Sequence, residues 1–204
     1  MIYNSSILTK ALNHFKKNDP ILYKVALMVN ITGLVKPEDP FIDLVETIIN
    51  QQLSDKAAAT IFGRFKKLFR GKATPEKLLK IPDEKIREAG ISYSKIKYIK
   101  GIAQQIKNKK LNLKNLENLS DEDVINELVK LKGIGAWTAE MYLMFTLARP
   151  DVFSAGDLGL QNAIVKLYKI KQKPTRERLL EISIKWSPYR TTASRILWRS
   201  LDLK

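Results

Sequence analysis

The sequence predicts an all-α protein, and three observations support this fold class. Apolar residues recur at spacings of three and four in most segments, which is the period of an amphipathic helix. Residues that start helices precede these segments, such as Pro40 before FIDLVETIINQQLS and Ser120 before DEDVINELV. No segment carries the sustained two-residue alternation of a β-strand. We therefore expect about nine or ten short helices.

The helical segments follow one another along the chain. A basic N-terminal helix carries the sole histidine, His14, and FIDLVETIINQQLS follows it. Ser54 or Asp55 is placed to cap DKAAATIFGRFKKLF, and Pro75 and Pro82 stand near the starts of two short helices. The later helices are expected in SKIKYIKGIAQQIKN, SDEDVINELVKL, AWTAEMYLMFTLA, LGLQNAIVKLYKI, TRERLLEISIKW and YRTTASRILWRSL. A loop, RPDVFSAGD, separates the third and fourth of these.

The composition favours an anionic partner. The 204 residues include 36 Lys and Arg against 21 Asp and Glu, which gives a net charge of +15. Nucleic acid is the leading candidate, because neutralising its phosphates releases condensed counterions. The alternative is that the charge only keeps the protein soluble.

The chain has no cysteine, which excludes disulfides, thiolate zinc sites and iron–sulfur clusters. The N-terminal stretch lacks the apolar core of a signal peptide, and no apolar run approaches the ~20 residues that span a bilayer. We therefore expect a soluble, intracellular protein. It would lie in the cytoplasm with the nucleoid in a prokaryote, and in the nucleus in a eukaryote.

The segment LKGIGAWTAEMY, residues 131–142, places two glycines between two helical segments. Gly133 and Gly135 permit a tight turn, after which the first N–H groups of the second helix lack intrahelical partners. Such a helix start is a ready phosphate site. The alternative is an ordinary helix–helix turn with a capping glycine. The net charge and the preceding acid-capped helix favour the phosphate site.

These residues carry a family resemblance. LKGIGAWTA resembles the hairpin of the helix-hairpin-helix (HhH-GPD) DNA glycosylases, and SAGDLGL supplies Asp157 where that superfamily has an essential aspartate. PFIDLVETIINQQLSDKAA resembles the early helix and DNA-wedge turn, and WSPYRTTASRILW resembles the closing helix. The resemblance runs from about Pro40 to Trp198 and is closest to the 3-methyladenine DNA glycosylase II branch. Larger members of that branch carry an N-terminal β-domain, so this chain resembles a minimal form.

The resemblance implies a fold and a domain organisation. Residues 1–204 would form one glycosylase unit of two interlocked helical subdomains, with a cleft for DNA and the base between them. Residues of about 42–139 would form the central subdomain that ends in the hairpin. Residues 1–41 and 140–204 would form the second.

The resemblance also implies DNA contacts. Backbone N–H groups of Gly133, Gly135 and Ala136 would bind phosphate, and the Thr138 hydroxyl would add a contact. Gln52 falls at the position of the side chain that fills the space left by a flipped base, with Leu53 as the alternative wedge. Arg190 would either reach DNA or brace the base pocket. A Na⁺ or K⁺ ion beside the phosphate would be held by the backbone carbonyls of Val129, Leu131 and Ile134.

A base pocket would contain Trp137 and Tyr189, which match aromatic positions of the branch. Met141 stands where members often carry another aromatic residue. An alkylated purine is cationic, so an indole face attracts it by a cation–π interaction of up to ~2 kcal/mol. The alternative for Trp137 is an ordinary core tryptophan, and we assign Trp186 and Trp198 to the core.

Asp157 would carry the chemistry. Its carboxylate would stabilise oxocarbenium character on the sugar and orient or deprotonate the attacking water. The alternative is that it only caps the helix that starts at Leu158, and both roles are compatible.

The position that holds the lysine nucleophile of the endonuclease III branch is Trp137 here. We therefore expect a monofunctional enzyme that flips alkylated purines of the 3-methyladenine and 7-methylguanine type out of damaged double-stranded DNA and leaves an abasic site. It would act as a monomer and need no cofactor or metal for catalysis. The rivals are a glycosylase/lyase for oxidised bases, a non-catalytic DNA-binding module, and a basic scaffold without a DNA role.

Overall fold

The computed structural model describes residues 5–203, without the side chains of Ser5 and Asp55. Within that range the protein has twelve α-helices, one 3-10 helix and one π-helix, and no strand. The predicted all-α class is confirmed. The helix count exceeds the expected nine or ten, in part because Asp19 and Pro20 divide the N-terminal segment into two helices.

The described residues divide into two compact units. The central unit is Pro37–Tyr142, and the terminal unit contains the residues up to Lys36 and those from Leu143 onward. The helices of the central unit are α3 Pro40–Asn50, α4 Asp55–Lys67, α5 Pro75–Lys80, α6 Asp83–Glu88, α7 Tyr93–Lys107, the 3-10 helix Asn115–Asn118, α8 Asp121–Val129 and α9 Ala136–Met141. Those of the terminal unit are α1 Ser5–Asn18, α2 Pro20–Ala26, α10 Leu158–Tyr168, α11 Arg176–Ile184 and α12 Arg190–Ser200. In the sequence, the π-helix Tyr142–Thr146 begins at the last residue of the central unit.

Side-chain caps start most helices of the central unit. Ser54 begins α4 and Ser120 begins α8, each by accepting a hydrogen bond from a backbone N–H three residues later. Asp39 accepts hydrogen bonds from two N–H groups at the start of α3, where Pro40 occupies the first helical position. The three-and-four periodicity of α3 buries Phe41, Leu44, Val45, Ile48 and Ile49.

The terminal unit contains a buried carboxylate, that of Asp19. Asp19 is 2% exposed and caps α2 by accepting a hydrogen bond from the N–H of Leu22. It also accepts hydrogen bonds from Tyr168 and Trp186, and its Oδ2 lies 2.9 Å from Nζ of Lys185. Burial alone raises the pKa of Asp19, but these hydrogen bonds outweigh it and leave the pKa below its ordinary value.

Replacing Asp19 with Asn is expected to lower the free energy of unfolding at neutral pH by about 3 kcal/mol, because the partly buried Lys185 loses its charged partner. The folded pKa is lowered, so the carboxylate stabilises the protein above the unfolded value of about 4. That contribution is lost as the pH falls through the folded value. Chemical denaturation from pH 7 to pH 3 should therefore show a shallower acid-side decline in the variant. Asp202→Asn, at a side chain that is 76% exposed, is the control and should change neither quantity.

No helix among the described residues is both long enough and apolar enough to cross a membrane.

Candidate active site

The glycine turn between α8 and α9 combines one buried residue with three exposed ones. Ile134 is 5% exposed and packs inward, whereas Gly135, Ala136 and Trp137 are exposed. Gly135 occupies the N-cap position of α9 and brings no side chain to cap it. The backbone at the start of α9 therefore faces solvent, as a phosphate-binding turn requires.

Gly133 is required at its position for two reasons. Its φ is +93°, in the left-handed region that glycine adopts without cost. A Cβ atom there would lie 2.2 Å from Cδ2 and 2.3 Å from Cγ of Tyr98, which belongs to α7. The ring of Tyr98 thus packs directly against the backbone of the turn at Gly133. Gly135 differs, because no heavy atom lies within 4 Å of the position its Cβ would take.

Gln51 links the hairpin to the end of α3. Its Nε2 donates hydrogen bonds of 3.0 Å to the carbonyl of Gly133 and of 3.0 Å to the Thr138 hydroxyl oxygen. Thr138 is 3% exposed. The prediction that the Thr138 hydroxyl contacts DNA therefore needs correction, since the group is buried and hydrogen-bonded within the protein. Its place in the structure is to hold Gln51 and the turn together.

The predicted wedge lies in a strained turn directly after α3. Gln52 is exposed and has a φ of +58°, whereas Leu53 is only half-buried and has no such strain. A non-glycine residue in this region costs about 1–2 kcal/mol, so the surrounding contacts must hold the turn. Lys95 provides two of them, with hydrogen bonds of 2.8 Å to the carbonyl of Ile49 and 2.7 Å to that of Gln51. The exposed, strained conformation favours Gln52 over Leu53 as the projecting residue.

Two lysines of α7, Lys95 and Lys100, are hydrogen-bonded within the protein. Lys95 holds the end of α3, and burial lowers the pKa of its amine. Lys100 pairs with Asp83 and donates a hydrogen bond of 2.7 Å to the carbonyl of Ile81. Their role is therefore structural in this conformation.

The carbonyls assigned to a cation by resemblance come from the hairpin. Val129 is the last residue of α8, where helical carbonyls lose their intrahelical partners. The carbonyl of Leu131 accepts a hydrogen bond of 3.1 Å from the N–H of Ile134, which leaves it a second lone pair. Backbone carbonyl oxygens suit Na⁺ and K⁺, so this donor set fits the ion. Among the described residues no group of three or more His, Cys, Asp or Glu side chains is placed to hold a metal.

Trp137 is not a core tryptophan. Its side chain is 39% exposed at the start of α9, although the sequence allowed a buried position as the alternative. Met141, one helical turn further, is 6% exposed. Trp137 can therefore present an indole face outside the core of the central unit, whereas Met141 packs inside.

Asp157 lies at the N-cap of α10, half-buried. Its Oδ1 accepts hydrogen bonds of 2.8 Å from the N–H of Leu160 and of 2.8 Å from Nε1 of Trp198. The capping alternative is thus correct as a description of its position. A cap also fixes a carboxylate in place, which a stabiliser of positive charge requires.

Trp198 lies only partly in the core, where the sequence predicts a core residue. Its ring is half-buried, packs 6.0 Å from Phe145, and presents its N–H to the carboxylate of Asp157. Trp186 is fully buried, as expected. Nothing in the local sequence distinguishes the two tryptophans, because the partner of Trp198 lies 41 residues away.

Arg190 is held by Asp151. The guanidinium donates from Nε to Oδ1 at 2.8 Å and from Nη2 to Oδ2 at 2.9 Å, and Ser187 donates a further hydrogen bond to Oδ2. Burial raises the pKa of Asp151, but the hydrogen bonds from Arg190 and Ser187 outweigh it and leave the pKa below its ordinary value. The fork of Arg190 is therefore occupied, which favours bracing over a DNA contact.

Tyr189 has a neighbour that the sequence did not indicate. The ring of His14 packs edge-on against it, with centroids 5.5 Å apart. Nε2 of His14 lies 2.8 Å from the carbonyl oxygen of Lys185, which fixes the imidazole. The sole histidine thus supports the half-buried Tyr189.

Residues 45–188 match the family described as HhH-GPD superfamily base excision DNA repair protein. A crystal structure of a DNA-3-methyladenine glycosidase from Bacillus halodurans is 35% identical, with a TM-score of 0.80 over 100% of this chain and 92% of that one. A Schizosaccharomyces pombe 3-methyladenine DNA glycosylase, solved in complex with abasic DNA, is 33% identical. Its TM-score is 0.82, and the alignment covers 95% of this chain and 97% of that one.

A curated relative from Bacillus subtilis is 34% identical over 84% of this chain, which spans 62% of that relative's length. The family match covers more than half of the chain, and the two solved structures align over nearly all of it. The chain belongs to the HhH-GPD superfamily of base excision DNA repair proteins.

Proposed function

We propose that this protein is a monofunctional DNA glycosylase that removes alkylated purines of the 3-methyladenine and 7-methylguanine type and leaves an abasic site. The observation that carries the proposal is the carboxylate of Asp157, held on Oδ1 by two N–H donors in a chain of this superfamily. The relatives named as 3-methyladenine DNA glycosylases support the substrate class.

The reaction breaks the N-glycosidic bond between the base and C1′ of the sugar. The base leaves with the bonding electron pair, and C1′ develops oxocarbenium character. The Asp157 carboxylate stabilises this positive charge, and water adds its oxygen to C1′ as it gives up a proton. The same carboxylate is the acceptor for that proton. An alkylated purine leaves readily because it is already cationic.

Double-stranded DNA is the proposed partner, bound by a protein that acts as a monomer. The net charge of +15 supports a phosphate-rich partner, and the exposed start of α9 supports a backbone contact at Gly135 and Ala136. The complex of the S. pombe relative with abasic DNA supports this partner. The protein would act in the nucleoid of a prokaryote or the nucleus of a eukaryote.

Selection of the base rests on stacking. Trp137 is exposed at the start of α9, where its indole would stack on a cationic purine, and a desolvated cation–π contact is worth up to ~2 kcal/mol. A neutral purine gains the stacking without that electrostatic attraction. Preference for cationic bases is therefore the expected pattern.

The absence of lyase chemistry is the second part of the proposal. Where a glycosylase/lyase carries its lysine nucleophile, this chain has Trp137, whose indole cannot form a Schiff base. The test is to incubate methylated duplex with the protein and borohydride. Strand breaks only after alkali, with no covalent protein–DNA adduct, are expected. An adduct would favour the rival glycosylase/lyase.

Gln52→Ala should weaken binding to duplex that contains an abasic site by about fivefold or more, equivalent to about 1 kcal/mol, because the side chain no longer fills the gap in the stack. Binding to intact duplex should change less. Fluorescence anisotropy with the two duplexes measures both affinities. Gln104→Ala, on the exposed face of α7, is the matched control. Equal losses on both duplexes would argue against a wedge.

A further inference from the structure

Two hydrogen bonds from different helices converge on one oxygen of Asp157. The N–H of Leu160, in the first turn of α10, and Nε1 of Trp198, near the end of α12, each donate to Oδ1 at 2.8 Å. The first bond is an ordinary helix cap. The second is long-range and is not needed to start α10. Together they fix both the position of the carboxylate and its rotation.

The space for this indole depends on Gly159. A Cβ there would lie 3.0 Å from Cδ1 and 3.2 Å from Nε1 of Trp198, and 3.1 Å from Oδ1 of Asp157. A side chain at 159 would therefore press on the donor and the acceptor of the same hydrogen bond. Gly159 lies in α10 and does not have a left-handed φ, so close approach is the physical reason for glycine here.

Phe145 supports the indole further. Its ring lies 6.0 Å from that of Trp198, with an angle of 32° between the planes. Phe145 belongs to the π-helix, an irregularity that redirects side chains relative to an α-helix. The indole thus has an aromatic neighbour as well as the carboxylate and Gly159.

We propose that Trp198 is a positioning residue for Asp157, with Gly159 as the small residue that allows it to reach the carboxylate. The proposal rests on the catalytic role of Asp157 proposed above. Trp198 orients the oxygen that stabilises the sugar cation, so its N–H affects the rate of bond cleavage more than the binding of DNA. A purely structural role would instead join α12 to α10 and affect stability.

Trp198→Phe tests this proposal, because it keeps an aromatic ring and removes the N–H. The single-turnover rate of base release at saturating enzyme should fall by about 10- to 100-fold. Affinity for abasic-site duplex should remain that of the wild type. The matched control is Tyr168→Phe, which removes one donor from the buried carboxylate of Asp19 in the same unit. It should lower the melting temperature without slowing base release per folded molecule.

Gly159→Ala provides a second route to the same bond, with Trp198 intact. It should also slow base release, because the added methyl group would lie 3.0–3.2 Å from Cδ1 and Nε1 of Trp198 and from Oδ1 of Asp157, so the donor or the acceptor must shift. The two changes should not be additive: the double variant should be about as slow as either single variant, since both remove one interaction. If Trp198→Phe fails to fold, the rate of base release by Gly159→Ala alone tests the positioning role.

The outcomes separate this proposal from the function on which it rests. Asp157→Asn is measured in the same assay. If it is inactive while Trp198→Phe and Gly159→Ala release base at the wild-type rate, the positioning role is refuted and the function stands. If the rate losses multiply in the double variant, the two residues affect base release independently of one another, and the shared hydrogen bond that the positioning role requires is also refuted. If Asp157→Asn is as active as wild type, both proposals fail.

Discussion

Asp157→Asn is expected to slow release of methylated purines by about 10²- to 10⁴-fold, the range that a positioned carboxylate contributes by acid–base and electrostatic catalysis. The asparagine amide oxygen can still accept the hydrogen bonds from Leu160 and Trp198, so α10 should keep its cap. The negative charge opposite the sugar cation is lost. Single-turnover base release measures the effect, and binding to abasic-site duplex should stay near that of the wild type.

Asp202→Asn removes the same charge from an exposed site in the same unit and is the matched control. It should leave base release unchanged. A large loss of DNA affinity or melting temperature in Asp157→Asn would mean that the residue chiefly holds the fold. A wild-type rate of base release would contradict its catalytic role.

Gly133→Ala should distort the hairpin and weaken the binding of duplex DNA. The left-handed φ costs about 1–2 kcal/mol for alanine, and the collision with Tyr98 adds about 1–3 kcal/mol of overpacking. The turn must shift, and the N–H groups after it shift as well. Loss of one hydrogen bond to a phosphate costs about 1.5–3 kcal/mol, so the affinity for duplex DNA should fall about 10- to 100-fold.

Gly63→Ala separates this effect from a general intolerance of alanine. Gly63 lies inside α4 with no atom within 4 Å of the position of its Cβ. That substitution should raise the free energy of unfolding by about 1 kcal/mol and leave DNA affinity unchanged. Denaturant unfolding and anisotropy titrations give the two quantities. If Gly133→Ala binds DNA as tightly as the wild type, the hairpin does not contact the backbone.

The helices were predictable because their signals are local. The apolar period of α3, its start at Pro40 and the capping residue Ser120 of α8 all lie within a few residues of what they determine. The position of Asp157 at the start of α10 was also predictable, since Asp is a common N-cap residue and LGLQNAIVKLY follows it directly.

The remaining features depend on contacts between distant residues. Gln51 is hydrogen-bonded to Gly133, which lies 82 residues away in the sequence, and Trp198 is hydrogen-bonded to Asp157, which lies 41 residues away. The pairing of Asp151 with Arg190 likewise joins two segments that the sequence shows only separately. No periodicity or spacing encodes such pairs. The hydrogen bond between Gln51 and Thr138, which buries the hydroxyl expected to contact DNA, is such a pair.

Release of free base from methylated duplex DNA tests the central claim most directly, with wild type and Asp157→Asn compared under identical conditions. We expect the wild type to free 3-methyladenine and 7-methylguanine and to leave an intact strand with abasic sites, while the variant binds the DNA and frees little or no base. If neither protein frees any base although both bind the DNA, the hairpin is an anchor without a glycosylase activity toward alkylated purines, and the proposed function is wrong.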